Sequence, residues 1–331
     1  MRIFLLFIVI ICVACKSDKP SETIIITGQA FGTYYSVKYF GDSEKASHIQ
    51  KGIDSLIYAI DKSMNTYISE SDISKINSGD KTVVIDDMFL DVFMLSRKLN
   101  KATSGYFDPT VGTLRNAYGF GDTEALKVIN KTSLDSLMQY VGWSKVGLNK
   151  NRTINKKHPE IYFDFNAIAK GYGVDRVALY IKSKGFENFL IDIGGEIVAS
   201  GIHKNSKASW VVGIENIDSK VESRTASVLV NLTNKAMAGS GNYRKNRVDA
   251  VTGRQYVHTI NPITGSAEKS DVLSATIIAN NCATADAWAT SCMAMGLERS
   301  KQALKNQGIE AYLVYDGGIF MTEGFEKYIL K

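Results

Sequence analysis

The sequence holds 331 residues, enough for one large domain or two moderate ones. Its 45% apolar and 22% charged content is that of a soluble globular protein, with no low-complexity tract and no internal repeat. The net charge of +5 comes from scattered Lys and Arg rather than a dense basic run with interleaved aromatics, which argues against nucleic acid and suits a small anionic ligand.

Arg2 and the apolar run Ile3–Ile11 precede Cys12-Val13-Ala14-Cys15. The run is too short to span a bilayer comfortably and sits where a signal peptide sits. Small residues before Cys15 resemble a bacterial lipobox, although Cys12 stands where Leu is usual. A transmembrane anchor is the alternative. Residues 1–15 therefore read as a lipoprotein signal with Cys15 lipidated, 16–22 as a polar tether, and 23–331 as the working domain. The expected home is the cell envelope, lipid-anchored to a membrane and facing the periplasm.

Ile24–Tyr39 alternates around Phe31-Gly32-Thr33, which predicts two strands with a close backbone approach at Gly32. Ile49, Ile53, Leu56 and Ile60 predict a helix over 45–63. A loop through Asn65-Thr66-Tyr67 and Ser69–Asp72 leads to a short helix towards Asn77, and Val83–Ile85 reads as a strand. A helix over 87–103 turns Val92, Leu95, Ser96 and Leu99 inward and closes at Gly105. Residues 105–112 form a turn-rich loop towards Tyr118-Gly-Phe-Gly121. A helix at 132–140 and short strands at 146–148 and 153–154 follow.

Chemistry can be built on Asp164-Phe-Asn-Ala-Ile-Ala-Lys-Gly-Tyr-Gly-Val-Asp175. Ile161–Phe165 reads as a strand ending at Asn166, a good helix N-cap. Ala167, Gly171, Val174, Ala178 and Ile181 then recur at helical steps. Asp164 and Lys170 flank the first turn, where backbone N–H groups and the helix dipole favour phosphate. An ordinary capped junction with a solvated Lys explains the same residues.

Phe189–Ile193 is a strand ending in Gly194-Gly195-Glu196, either a close approach to a ligand or a plain tight turn. Strands at 210–215 and 226–232 precede Ala238–Tyr243, which opens a polar, basic segment. Within it, Arg244-Lys-Asn-Arg247 could attract phosphate or form a solvated hairpin tip. After Val257–Gly265 come a strand at 273–279 and helices at 283–295 and 297–307. A hairpin around Asp316-Gly-Gly318 closes the chain. This mixed order predicts an α+β fold with no linker dividing 23–331.

In the helix at 283–295, Asp286 and Thr290 lie four apart and project hard oxygen ligands from one face. They would suit Mg²⁺ with open positions for water and phosphate, or form a local hydrogen-bonded pair. Cys282 and Cys292 share this helix about 15 Å apart, too far for a disulfide, and read as buried thiols. No nucleophilic triad surrounds His258, and neither a P-loop nor a dinucleotide fingerprint occurs.

Taken in order, these motifs resemble the ApbE family of FAD:protein FMN transferases from about Gly28 to the C-terminus. The resemblance rests on Phe-Gly-Thr at 31–33, Thr-Tyr-x-x-x-Ser-x-Ile-Ser-x-Ile-Asn at 66–77, residues 105–112 and 164–175, and Gly-Gly-Glu at 194–196. Ser-Gly-Asn-Tyr at 240–243, His-Thr-Ile-Asn-Pro-Ile-Thr-Gly at 258–265 and Ala-Asp-Ala-Trp-Ala-Thr at 285–290 complete it. The resemblance implies a T-fold-related architecture of two subdomains and an enzyme that splits FAD, releases AMP and places FMN on a Thr or Ser hydroxyl of a membrane-associated flavoprotein subunit. It implies Mg²⁺ on Asp286, Thr290 and the Ala167 carbonyl, and FAD contacts from Phe31, Tyr67, Tyr106, Phe107, Asp108, Asp164, Lys170 and Ile260. The family usually has Met at the position of Phe31. His258 would shape the pocket near the phosphates, and Asp286 or Asp164 would act as base. An FAD pyrophosphatase and a non-catalytic flavin-binding lipoprotein are the rival readings.

Overall fold

β1 (Glu22–Ala30) and β2 (Thr33–Gly41) pair along their whole length through the two-residue turn Phe31-Gly32. Both turn residues have positive φ, 52° and 74°, the geometry whose twist matches a β-hairpin. Open space surrounds the Gly32 α-carbon, so the residue serves its backbone angle rather than the close approach expected there. The structure is a computed structural model describing residues 22–220, 223–242, 246–248 and 253–331. The signal, Cys15, nearly all of the tether, and Tyr243, Arg244 and Lys245 lie outside the described residues.

Helices α1 (Ala46–Met64), α2 (Asp72–Asn77), α3 (Asp87–Ala102), α4 (Gly112–Ala117) and α5 (Lys131–Met138) come next, then the small hairpin β3 (Val146–Leu148) and β4 (Ile154–Lys156). α6 (Ala169–Ser183) leads to β5 (Phe189–Ile193), β6 (Glu196–Ser200), β7 (Trp210–Glu215), β8 (Ala226–Leu232) and β9 (Lys235–Gly241). β10 (Asn246–Val248) pairs with β11 (Gln255–Val257), and β12 (Val272–Ala279) precedes α7 (Cys282–Met295) and α8 (Leu297–Ala303). β13 (Glu310–Tyr315) and β14 (Gly318–Met321) form the last hairpin. One eight-stranded sheet, ordered β1-β2-β5-β6-β9-β12-β13-β14, is antiparallel throughout. The α+β expectation holds.

Side chains alternate across this sheet and feed two cores. Tyr35, Val37, Ile191, Ala236, Ala238 and Ile277 pack against α1, α3, α6 and α7 on one face. Phe40, Ile197, Met237 and Ile278 meet the β7–β8 hairpin and Phe325 on the other. A third cluster, including Leu114, Tyr118, Val141 and Ile260, lies under α4 and α5. Among the residues of α7, only Thr284 and Thr290 are not fully buried, because the helix is apolar nearly all round. Its first-turn donors are satisfied from outside: Cys282 and Ala283 N–H donate to the Asp175 carboxylate at 2.8 and 2.9 Å, and Thr284 N–H to Asn281 Oδ1.

Three further expectations need correction. Val83–Ile85 joins no ladder; Ile85 N–H donates to Arg152 O at 3.0 Å instead. Residues 161–165 form no strand beyond a single parallel bridge from Tyr162 to Val111. Asn166 does not cap α6, which starts three residues later. Asp164 Oδ1 accepts both the backbone N–H and the side-chain amide of Asn166 at 2.7 Å, and that local turn displaces the helix start. Cys282 and Cys292 are free and buried, as read.

Candidate active site

α6 and α7 cross so closely that a Cβ on Gly171 would stand 2.5 Å from the Cys282 carbonyl oxygen and 2.9 Å from the Ala283 α-carbon. Only glycine permits this approach, and it lets Gly171 N–H donate to Asp286 Oδ2 at 3.0 Å. Two residues on, a Cβ at Gly173 would enter the Phe31 ring at 2.5 Å, so that glycine seats the aromatic of the β1–β2 turn. The two glycines of the Lys170-Gly-Tyr-Gly173 run thus set one wall of a cleft of ≈ 750 Å³.

All twelve predicted site residues line this cleft: Phe31, Tyr67, Tyr106, Phe107, Asp108, Asp164, Ala167, Lys170, His258, Ile260, Asp286 and Thr290. Their engagement differs. Tyr67 is 61% exposed, whereas Phe107 is nearly buried and belongs to the core beneath the wall. Asp108 turns its carboxylate into its own loop, accepting from Thr110 N–H and Oγ1 at 2.9 and 2.7 Å and from Trp143 N–H at 2.8 Å. Burial raises its pKa against those hydrogen bonds. Asp164 forms an ion pair with Arg115 through Oδ2 while Oδ1 holds Asn166, so both of its oxygens are occupied. Tyr106 has the Arg299 guanidinium 5.9 Å from its ring centre.

Two residues without an expected role stand out. Arg115, on α4, bridges Asp164 and the Tyr67 hydroxyl, the latter at 3.3 Å. It escapes the sequence reading because six helical residues are too few to show a periodic pattern. Glu196, buried at the start of β6, forms an ion pair with Lys170. Its place after two glycines that make a tight turn, with φ of 65° and 101°, is the one signal the sequence offers.

Half-buried Lys170 and the buried Glu196 and Asp286 form a charge cluster. Burial raises the pKa of Glu196 and of Asp286, with Lys170 opposing the rise in each. Burial also works against the Lys170 ammonium, but the two carboxylates outweigh it and its pKa is raised. The lysine therefore stays charged, and the acids hold protons more readily than in water. Asp286 Oδ1 accepts no hydrogen bond among the described residues, and Thr290 presents its hydroxyl from the same face one turn on.

The ApbE family profile matches residues 31–313. The FAD:protein FMN transferase of Vibrio cholerae is 32% identical over 333 residues, spanning 99% of this chain and 97% of its own. That of Haemophilus influenzae is 30% identical over 311 residues, spanning 91% and 88%. The solved flavin transferase ApbE from Vibrio cholerae superposes with a TM-score of 0.81 at 30% identity, covering 93% of this chain and all of its own. The Thermotoga maritima ApbE protein does so with a TM-score of 0.81 at 27% identity, covering 94% and 100%. The motifs, the cleft they line and the full-length likeness converge: this chain belongs to the ApbE family.

Proposed function

We propose that this chain is an FAD:protein FMN transferase that uses Mg²⁺. The observation that carries the reading is the meeting of Asp286, Thr290, Lys170 and Ala167 in a cleft within the usual size range for a bound small molecule. The donor set fits a hard cation with open positions: one buried carboxylate with an uncommitted oxygen, one hydroxyl and one backbone carbonyl. Among the described residues no three His, Cys, Asp or Glu side chains gather to enclose a metal, so water and phosphate oxygens would complete the coordination. When bound, Mg²⁺ would neutralise pyrophosphate charge and lower the pKa of the acceptor hydroxyl.

The chain's own residues do the rest. Lys170, held by Glu196, offers a fixed positive charge at the floor. Tyr67 and Tyr106 offer flat surfaces for isoalloxazine or adenine. Arg115, anchored on Asp164, adds a second cation to the lining of the cleft. In the transfer, the acceptor oxygen bonds to the FMN phosphorus and the bond from that phosphorus to the bridging oxygen breaks. AMP leaves with the bridging oxygen and its electron pair, and the acceptor proton passes to a base. Of the two carboxylates considered for that base, Asp164 has both oxygens engaged, and the one open oxygen of Asp286 is the same oxygen that would hold Mg²⁺.

The test combines protein lacking residues 1–21, FAD, Mg²⁺ and a flavin-carrying domain with one acceptor Thr. Intact mass should show acceptor plus FMN, with equimolar AMP. Chelation by EDTA and Asp286→Ala should each lower the rate by roughly 100-fold or more. AMP and free FMN without adduct would make the enzyme a pyrophosphatase, and bound, uncleaved FAD a carrier. The envelope location and the Cys15 lipid anchor belong to the same proposal. Cys15→Ser should move the full chain from the membrane fraction to the released fraction, and retention would refute the anchor.

A further inference from the structure

The central sheet is split next to the cleft. β6 pairs with β9 only through Ile197–Ala199 against Lys235–Met237, whereas β9 runs on to Gly241, held on its other side by Ile277–Ser274 of β12. From Ala238 to Gly241, therefore, the β6-side edge of β9 meets no strand among the described residues. Alternate residues there present N–H and C=O groups to an open gap. The side chains beside the gap are minimal, Gly239, Ser240 and Gly241, and the far side is the Gly194-Gly195 turn.

A second cavity, of ≈ 1060 Å³, lies on the sheet face that carries the β7–β8 hairpin. Its floor includes Asp192, Ile197, Met237 and Thr276, and its walls are β1–β2 on one side and the hairpin on the other. Gly194, Gly239, Ser240, Gly241, Glu215 and Arg224 line both this groove and the catalytic cleft on the helix side. The two cavities thus communicate through the gap, with the Arg224–Glu215 ion pair, 3.5 Å, at the junction. A single bound small molecule fills about 300–1,000 Å³, which the cleft alone supplies, so the groove is left for another occupant.

The geometry points to the acceptor protein as that occupant: its Thr- or Ser-bearing segment enters extended and adds as a short strand along Gly239–Gly241. The inference rests on the transferase reading above. A strand there gains main-chain hydrogen bonds from β9, the mode by which exposed sheet edges capture peptides. Strand alternation then divides the labour. In β9, Ala236 and Ala238 face the helices and Met237 the hairpin. An added strand does the same, turning one side chain towards Lys170 and Asp286 and its neighbours into the groove. The acceptor hydroxyl is the side chain turned inward.

The test places bulk in the groove at exposed positions outside the catalytic cleft, Ala226→Trp on the hairpin wall and Gln29→Trp on the β1 wall. FAD affinity is followed by flavin fluorescence, FMN transfer to the same acceptor domain by intact mass, and folding by thermal melting. Both variants should bind FAD within about twofold of the parent and transfer at least about tenfold more slowly, through a raised KM for the acceptor. Transfer by both at the parent rate overturns the groove as docking site. Loss of FAD affinity in step with transfer also overturns it, assigning the groove to FAD. Absence of transfer by the parent chain is a separate outcome that overturns the transferase reading and this one with it.

Discussion

At the scale of single residues, the chain concentrates risk in Lys170, Glu196 and Asp286. Two acids, both buried, and one half-buried ammonium share a floor, and the lysine opposes the burial that favours the protonated form of each acid. Lys170→Met should destabilise the protein by about 3 kcal/mol, since it strands Glu196 beside Asp286. Lys170→Met with Glu196→Gln should recover most of that loss in urea unfolding at pH 7, although catalysis stays impaired. Asp175 carries a different liability. Burial raises its pKa to about 6, against the two N–H groups it caps on α7. A carboxyl that holds its proton more tightly when folded lowers stability as pH rises from its unfolded pKa through the folded one. The protein should therefore lose roughly 3 kcal/mol between about pH 4 and pH 6 from this group. Asp175→Asn should flatten that slope in denaturation midpoints taken at pH 4.5 and 7; an unchanged slope would remove Asp175 as its source.

At the scale of elements, α6 and α7 act as one piece because Gly171 lets their backbones touch. Gly171→Ala drives a Cβ into rigid backbone, whereas Gly173→Ala meets only the Phe31 ring, which can turn aside. The first should cost about 1–3 kcal/mol and the second clearly less by chemical denaturation, while both disturb FAD binding. Elements of this kind differ in how plainly the sequence shows them. α7 is legible because an Ala-rich run with a good cap and a terminal glycine has few alternatives. β9 is not, because Lys-Ala-Met-Ala-Gly-Ser-Gly lacks the β-branched residues that mark a strand, and the tertiary pairing with β12 holds it. The start of α6 is misplaced by two residues because Asp164 competes for Asn166 before the helix can form. The site residues are legible as a set through family likeness. Arg115 and the partnership of Glu196 with Lys170 depend on contacts across 49 and 26 residues of chain, which no local pattern encodes.

At the scale of the whole molecule, one sheet serves two faces with different tasks. The helix side gathers charge around a cleft, and the hairpin side keeps an open groove beside its own small core. The sheet edge at β1 begins at Glu22, directly after the segment expected to act as leader and tether. Any anchor there would hold the β1–β2 end of the molecule nearest the surface it is attached to.

The two thiols of α7 make the protein its own stability gauge. Cys282 and Cys292 are wholly enclosed, and burial pushes the Cys292 thiol up to about 12 and the Cys282 thiol higher than usual as well. A disulfide reagent needs thiolate and access, and here it obtains both only when the helix-side core opens. In chain lacking residues 1–21, Ellman's reagent should find almost no fast thiol under native conditions and two in denaturant. The slow native rate then counts openings of the core that carries Asp286, so agents that stabilise the site should slow the colour change in proportion to their affinity.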